Sequence, residues 1–249
     1  MPVPEDRKRR LAEQRRQRRR AERTEEVASW YFRLNGFLSI PGFIVHPDVV
    51  RRNPMTEADL IAVRFPHSTE VIADRQMEDH RRLTDLATDS QVLFLLVEVK
   101  TDLCNINGPW SNKEAGNMQR VIRRLGFAED EAVEGIASAM YQDLRWESDT
   151  HVLQYITVGS RLNDGRQRQY PGLLQIVWPE ISDFLFERFK AFPEKLPSDG
   201  RLIHEQWPAF GRFYGRAMSR IQSPEESRNV LWRYVDEGPG AMKAKKTRP

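Results

Sequence analysis

A mixed α/β fold is predicted for this chain: a β-sheet core flanked by helices, followed by a mostly helical C-terminal extension. Three observations carry the prediction. Val92 to Val97 is an unbroken apolar run, the pattern of a strand covered on both faces. Ala58 to Phe65 and Val152 to Val158 are further strand-like runs, and segments of helical spacing lie between the strands. Beyond Pro179 the apolar residues Ile181, Phe184, Leu185, Phe189 and Phe192 recur at helical spacing, and further helical segments follow.

Composition narrows the class. The 249 residues suit one large domain, or one domain with an appendage. With 39% hydrophobic and 30% charged residues, the chain can build a core and stay soluble. The apolar runs are too short to cross a bilayer, and the first residues are charged where a signal peptide needs an apolar stretch. Cys104 is the only cysteine, which excludes an intrachain disulfide and a cysteine-based zinc site. A reducing, cytoplasmic setting is the expectation.

Charge is unevenly placed. Residues 1–24 hold ten Arg or Lys and four acids, so this arm carries +6. The remainder holds 29 basic and 32 acidic groups, or −3. An arm this basic gains from phosphate neutralisation, which makes Arg16, Arg19 and Arg20 candidate nucleic-acid contacts. An exposed, solvated charged helix is the alternative.

The elements follow in order. Glu5 to Glu26 has few apolar residues, although its composition permits helix. Val27, Ala28, Tyr31, Phe32 and Leu34 then predict a helix burying one face between about Glu25 and Asn35, stopped at Gly36. Phe37 to Val45 predicts a strand or strand pair interrupted by Pro41-Gly42. Residues 66–91 are polar, and a short helix near Asp74 to Ala87 or a mobile flap is expected there. Helices are predicted over Glu114 to Leu125 and Glu131 to Leu144, a strand over Leu173 to Trp178, and helices near Glu205 to Met218 and Glu225 to Tyr234. The layout is a basic arm (1–23), a core (24–160), a mostly helical extension (161–238) and a basic tail (239–249) with Lys243, Lys245, Lys246 and Arg248.

The chemistry concentrates at the end of the Val92 strand. Glu98 and Lys100 are two apart, so on a strand they leave the same face. Charges there are costly to desolvate unless paired or used. A strand-end ion pair is one account of them. A metal site is the other, and it needs another carboxylate. Asp59 supplies it at the start of the strand expected to neighbour Val92 to Val97, and antiparallel pairing would bring Asp59 and Glu98 to one edge. Two such acids bind Mg²⁺ through oxygen while the ion keeps waters for reaction. A nearby lysine can orient a water or stabilise developing charge.

This order resembles the PD-(D/E)XK nuclease superfamily, and the N-terminal half is similar to archaeal Holliday-junction resolvases within it. The likeness rests on Glu25 in a helix ending at Gly36-Phe37, then Glu57-Ala58-Asp59-Leu60-Ile61-Ala62, then Glu98-Val99-Lys100. It covers about residues 24–100, with residues 66–91 as an insertion and Ala58 before the aspartate. It implies a restriction-endonuclease-like fold and hydrolysis of phosphodiester bonds in DNA. It further implies Mg²⁺ (or Mn²⁺) at Asp59 and Glu98, Lys100 assisting the water, and Glu25 as an additional ligand or metal-orienting acid.

Beyond the strand, Gln119, Arg120 and Arg123 are candidate nucleic-acid contacts on the next helix, with Arg124 beside them. Asn107, Trp110 and Asn117 could reach substrate, and an ordinary loop and helix face is the alternative. His204-Glu205 lacks a second histidine at zincin spacing, which excludes that metalloprotease motif. The partner expected is DNA, with no membrane, and a homodimer or a subunit of a larger complex is compatible. The rival function is a catalytically inactive nuclease-fold protein that holds nucleic acid or a protein partner.

Overall fold

The computed structural model describes residues 5–46, 56–72, 74–192, 207 and 209–240. His204-Glu205 and the basic residues of the tail lie outside the described residues. The chain opens with one continuous helix, α1 (Glu5–Leu34). The predicted boundary at 23/24 therefore falls inside a helix, because the Arg/Gln/Glu/Ala stretch carries the propensity to extend what Val27 to Leu34 anchors. Thr24, Val27, Ala28, Trp30, Tyr31, Phe32 and Leu34 are buried, whereas Glu5 to Arg19 are exposed. Gly36 adopts φ 78°, and the Phe37 and Gly36 amides return to the Phe32 and Arg33 carbonyls. This is a Schellman stop, for which a glycine without Cβ is suited.

A mixed sheet follows. Its strands are β1 (Leu38–Val45), β2 (Thr56–Arg64), β5 (Val92–Val99), β6 (Arg145–Glu147), β7 (His151–Gly159) and β8 (Leu174–Val177). The order is β1-β2-β5-β7-β6, and β8 also pairs with β7. β1–β2 and β2–β5 are antiparallel, while β5–β7 and β7–β8 are parallel. β1 is one strand rather than a pair, and Pro41 sits inside it opposite Leu60. An edge strand tolerates a residue with no amide hydrogen.

Residues 66–91 hold a hairpin, β3 (Glu70–Ile72) with β4 (Arg75–Met77), before a single-turn helix, α2 (Arg81–Thr84). The short helix expected near Asp74 to Ala87 is this single turn, and the hairpin before it, which was not expected, is held against the body by buried Arg188, which reaches Glu70 and Asp79.

Helices cover both faces. On one side lie α1, α7 (Trp178–Ala191), α8 (Ala209–Met218) and α9 (Pro224–Glu237), sharing one core with Leu60, Ala62, Leu95 and Val97. On the other lie α4 (Asn117–Leu125) and α5 (Asp130–Asp143), packed on Ile61, Leu96, Leu153 and Tyr155. The short turns α3 (Gly108–Ser111) and α6 (Asp164–Gln169) complete the fold. Residues 161–238 thus supply a sheet strand and three helices of the α1 layer. Each large apolar side chain fully buried there contributes roughly 1.5–3 kcal/mol. Among the described residues, no helix is long and apolar enough to cross a membrane.

Candidate functional site

β5 is buried from Leu93 to Val99 because helices cover both faces. Glu98 ends this strand only 1% exposed. A carboxylate so placed needs donors, and three are supplied. Lys100 Nζ and Asn107 Nδ2 donate to Glu98 Oε1, and the Tyr155 hydroxyl donates to Oε2 at 3.2 Å. Tyr155 comes from β7, whose parallel register sets it beside Leu96. Burial, then the charge of Glu98, holds the Tyr155 phenol well above its ordinary pKa, so it stays a donor.

Asp59 reaches the same point from β2. Leu60 pairs with Val97, so extending the antiparallel register by one residue sets Asp59 opposite Glu98. Its Oδ2 accepts the Val99 amide at 2.7 Å. Burial raises its pKa, and the Val99 amide and Lys100 oppose that rise. For Glu98, burial and then Asp59 push the pKa up to about 7 against the pull of Lys100 and Tyr155. Glu25 closes the cluster from α1. Burial raises its pKa to about 7, reinforced by Asp59, Glu57 and Glu22, with Lys100 opposing.

Glu25, Asp59, Glu98 and Lys100, singled out from the sequence, therefore sit in one electrostatic cluster, with Glu57 as a further acid. Like charges crowded into a partly dry site keep protons that isolated carboxylates would lose at neutral pH. Among the described residues, no group of three or more His, Cys, Asp or Glu side chains is set to hold a metal ion. The pair Asp59 and Glu98 remains a two-carboxylate donor set.

Tyr155 is the residue that sequence reasoning left without an assigned role, and Asn107, expected to reach substrate, instead donates to Glu98. A tyrosine in the strand Val152-Leu-Gln-Tyr-Ile-Thr-Val158 was the available signal, since a buried phenol needs a polar partner.

The nucleic-acid candidates separate into three places. Arg16 and Arg19 are exposed on α1. Arg20 is tied down by Asp236 at 2.9 Å and lies over Trp232. Gln119 faces α5, donating to Glu134 and accepting from the Tyr141 hydroxyl. Arg120, Arg123 and Arg124 line a groove of about 600 Å³ with Phe43, Ile44, Val45 and His46. Arg120 is braced on the Ala115 carbonyl and on Asn117 Oδ1, and Arg123 meets Asp130 at 3.3 Å. Trp110 and Asn117 are buried in packing, and Asn117 donates to the Pro109 carbonyl.

No family model, curated protein or solved structure matches this chain.

Proposed function

We propose that the chain is a Mg²⁺-dependent nuclease of the PD-(D/E)XK type acting on DNA, with the sheet as its restriction-endonuclease-like core. One observation carries this reading: Glu25, Asp59, Glu98 and Lys100 converge at the end of β5 from three separate segments, with more acid than base among the described residues. A structural ion pair needs no such excess. A divalent cation relieves it, and Mg²⁺ is commonly held by one or two carboxylates while keeping several waters. Asp59 and Glu98 fit that requirement and would hold the ion. The ion, when bound, polarises a phosphoryl oxygen and acidifies a bound water.

The chain's own groups do the rest. Tyr155 and Asn107 fix the Glu98 carboxyl in one orientation. Lys100 carries a positive charge to the edge where a phosphate would dock, which favours the charge that builds up in the transition state. Glu25 is placed to take up or release a proton near neutral pH. The experiment is a panel of DNA and RNA structures with Mg²⁺ and with Mn²⁺, wild type beside Lys100→Ala and Glu98→Ala. Metal-dependent cleavage confined to wild type is expected. Equal cleavage by both purified variants overturns the site assignment.

A second reading, nucleic-acid binding without turnover, is favoured by the arginine groove and the exposed basic half of α1. It expects salt-sensitive DNA binding that survives Glu98→Ala and no cleavage under any metal.

A further inference from the structure

We propose that the groove between β1 and α4 takes a single-stranded polynucleotide leading away from the acidic cluster, so that the substrate is unpaired beside the reacting phosphate; this rests on the nuclease reading. Position comes first. Phe43, Ile44 and Val45 pair with Ala58, Glu57 and Thr56, and Gly42 lies between the pairs that flank Asp59. Three residues of β1, roughly 10 Å, separate the position opposite Asp59 from Val45. The groove therefore begins where the acidic cluster ends.

Its two walls differ in chemistry. Arg120, Arg123 and Arg124 are spaced i, i+3, i+4 on α4, which puts them on one helix face. Arg120 is braced on the Ala115 carbonyl and Asn117 Oδ1, so its direction is set in advance. Arg123 pairs with Asp130, which is 82% exposed; such a surface pair is weak and gives way readily to a phosphate. The facing wall is largely apolar, half-buried Phe43, buried Val45 and Ile44, which is 47% exposed, with exposed His46 at its end.

A polyanion matches the arginines. The apolar wall selects among polyanions. A duplex keeps its base faces within its own stack and would press phosphates against Phe43. An unpaired strand can lay its phosphates on α4 and a base face on Phe43. An acidic protein segment would satisfy the arginines and leave the aromatic ring without a matching face.

The test separates binding from cleavage. Anisotropy is measured in EDTA, with a short fluorescent oligodeoxythymidine and with a duplex of equal length. Wild type is expected to bind the single strand more tightly than the duplex. Arg123→Gln with Arg124→Gln should weaken single-strand binding at least about tenfold and reduce the log–log salt slope by about 1.4. Phe43→Leu should weaken it roughly fivefold with the salt slope unchanged. Unchanged affinity in both variants overturns the groove, as does a duplex bound as tightly as the single strand. Competition by polyglutamate as effective as by the oligonucleotide overturns it in favour of a protein partner. Groove-dependent binding by a wild type that cleaves nothing refutes the catalytic reading alone, and cleavage that ignores the groove variants refutes the groove alone.

Discussion

Two partly buried charge clusters sit in this molecule, and they are built differently. At the end of β5, Glu25, Glu57, Asp59 and Glu98 face one cation among the described residues, Lys100. At the β3–β4 hairpin, Arg188 and Arg64 face Glu70 and Asp79. Arg188 bonds Glu70, Asp79 and the Glu78 carbonyl, while Arg64 bonds Asp79 and the carbonyls of Asn35 and Ser68. The hairpin cluster is balanced and every charge has a partner, which is what holding a segment in place requires. The β5 cluster is over-acidic, and two of its carboxyls hold protons up to about pH 7. Excess charge of one sign costs stability, and this imbalance is the feature on which the proposed nuclease site rests. Adjacent residues of α1 repeat the contrast. Glu26 accepts from the Phe210 amide at 2.9 Å and from the Tyr234 hydroxyl, joining α1 to α8 and α9, whereas Glu25 faces the acids.

The contrast can be broken in four ways, taken from the largest effect down. Lys100→Ala should lower cleavage about 10³-fold or more, the scale of a lost charge-stabilising group, with a smaller loss of stability because Glu98 keeps Tyr155 and Asn107 as donors. Activity within tenfold of wild type would place Lys100 outside the reaction. Arg188→Met should do the opposite, costing about 3 kcal/mol in urea denaturation because Asp79 and Glu70 lose a buried partner. A loss below about 1 kcal/mol would make the hairpin clamp dispensable. On α1, Tyr234→Phe should cost about 1–2 kcal/mol and leave cleavage intact, since only the Glu26 tie is cut. Glu25→Gln should instead reduce cleavage without reducing stability. Matching phenotypes for these two variants would erase the distinction between the neighbouring glutamates.

The remaining test is in pH. Glu98 and Glu25 rise from 4.5 to about 7 in the native state, so the folded protein binds more protons than the unfolded chain between those values. Their contribution is fully favourable below about pH 4.5 and is lost as pH rises through about 7. Glu98→Gln should therefore flatten the fall in urea midpoint across that window. A parallel pH curve for wild type and variant would show that Glu98 titrates as an ordinary carboxylate.

Much of the site was legible because its parts are local. Glu98 and Lys100 alternate with Val97 and Val99, and a period of two places both on one face. Gly36 was legible for a similar reason: the last turn of α1 needs a residue tolerant of positive φ. The hairpin at 70–77 was not legible, since its three-residue strands carry no periodicity and are held by Arg188 from more than a hundred residues away. Glu25 and Glu26 are likewise indistinguishable as letters. Only the packing of α8 and α9 against α1 makes Glu26 a tie and leaves Glu25 beside Asp59.

By itself the sequence determined the mixed α/β class, the doubly covered β5, the helix stop at Gly36 and the residue types at the end of β5. Periodicity and backbone preference act over a few residues, and these features need nothing more. The tertiary structure alone decided that α1 runs unbroken from Glu5, that 161–238 shares its core, and that Tyr155 and Asn107 hold Glu98. It also decided that two carboxyls in the cluster are pushed up to about 7. Register, burial and charge proximity join residues far apart in sequence, and those energies exist only once the sheet and its two helical layers have closed.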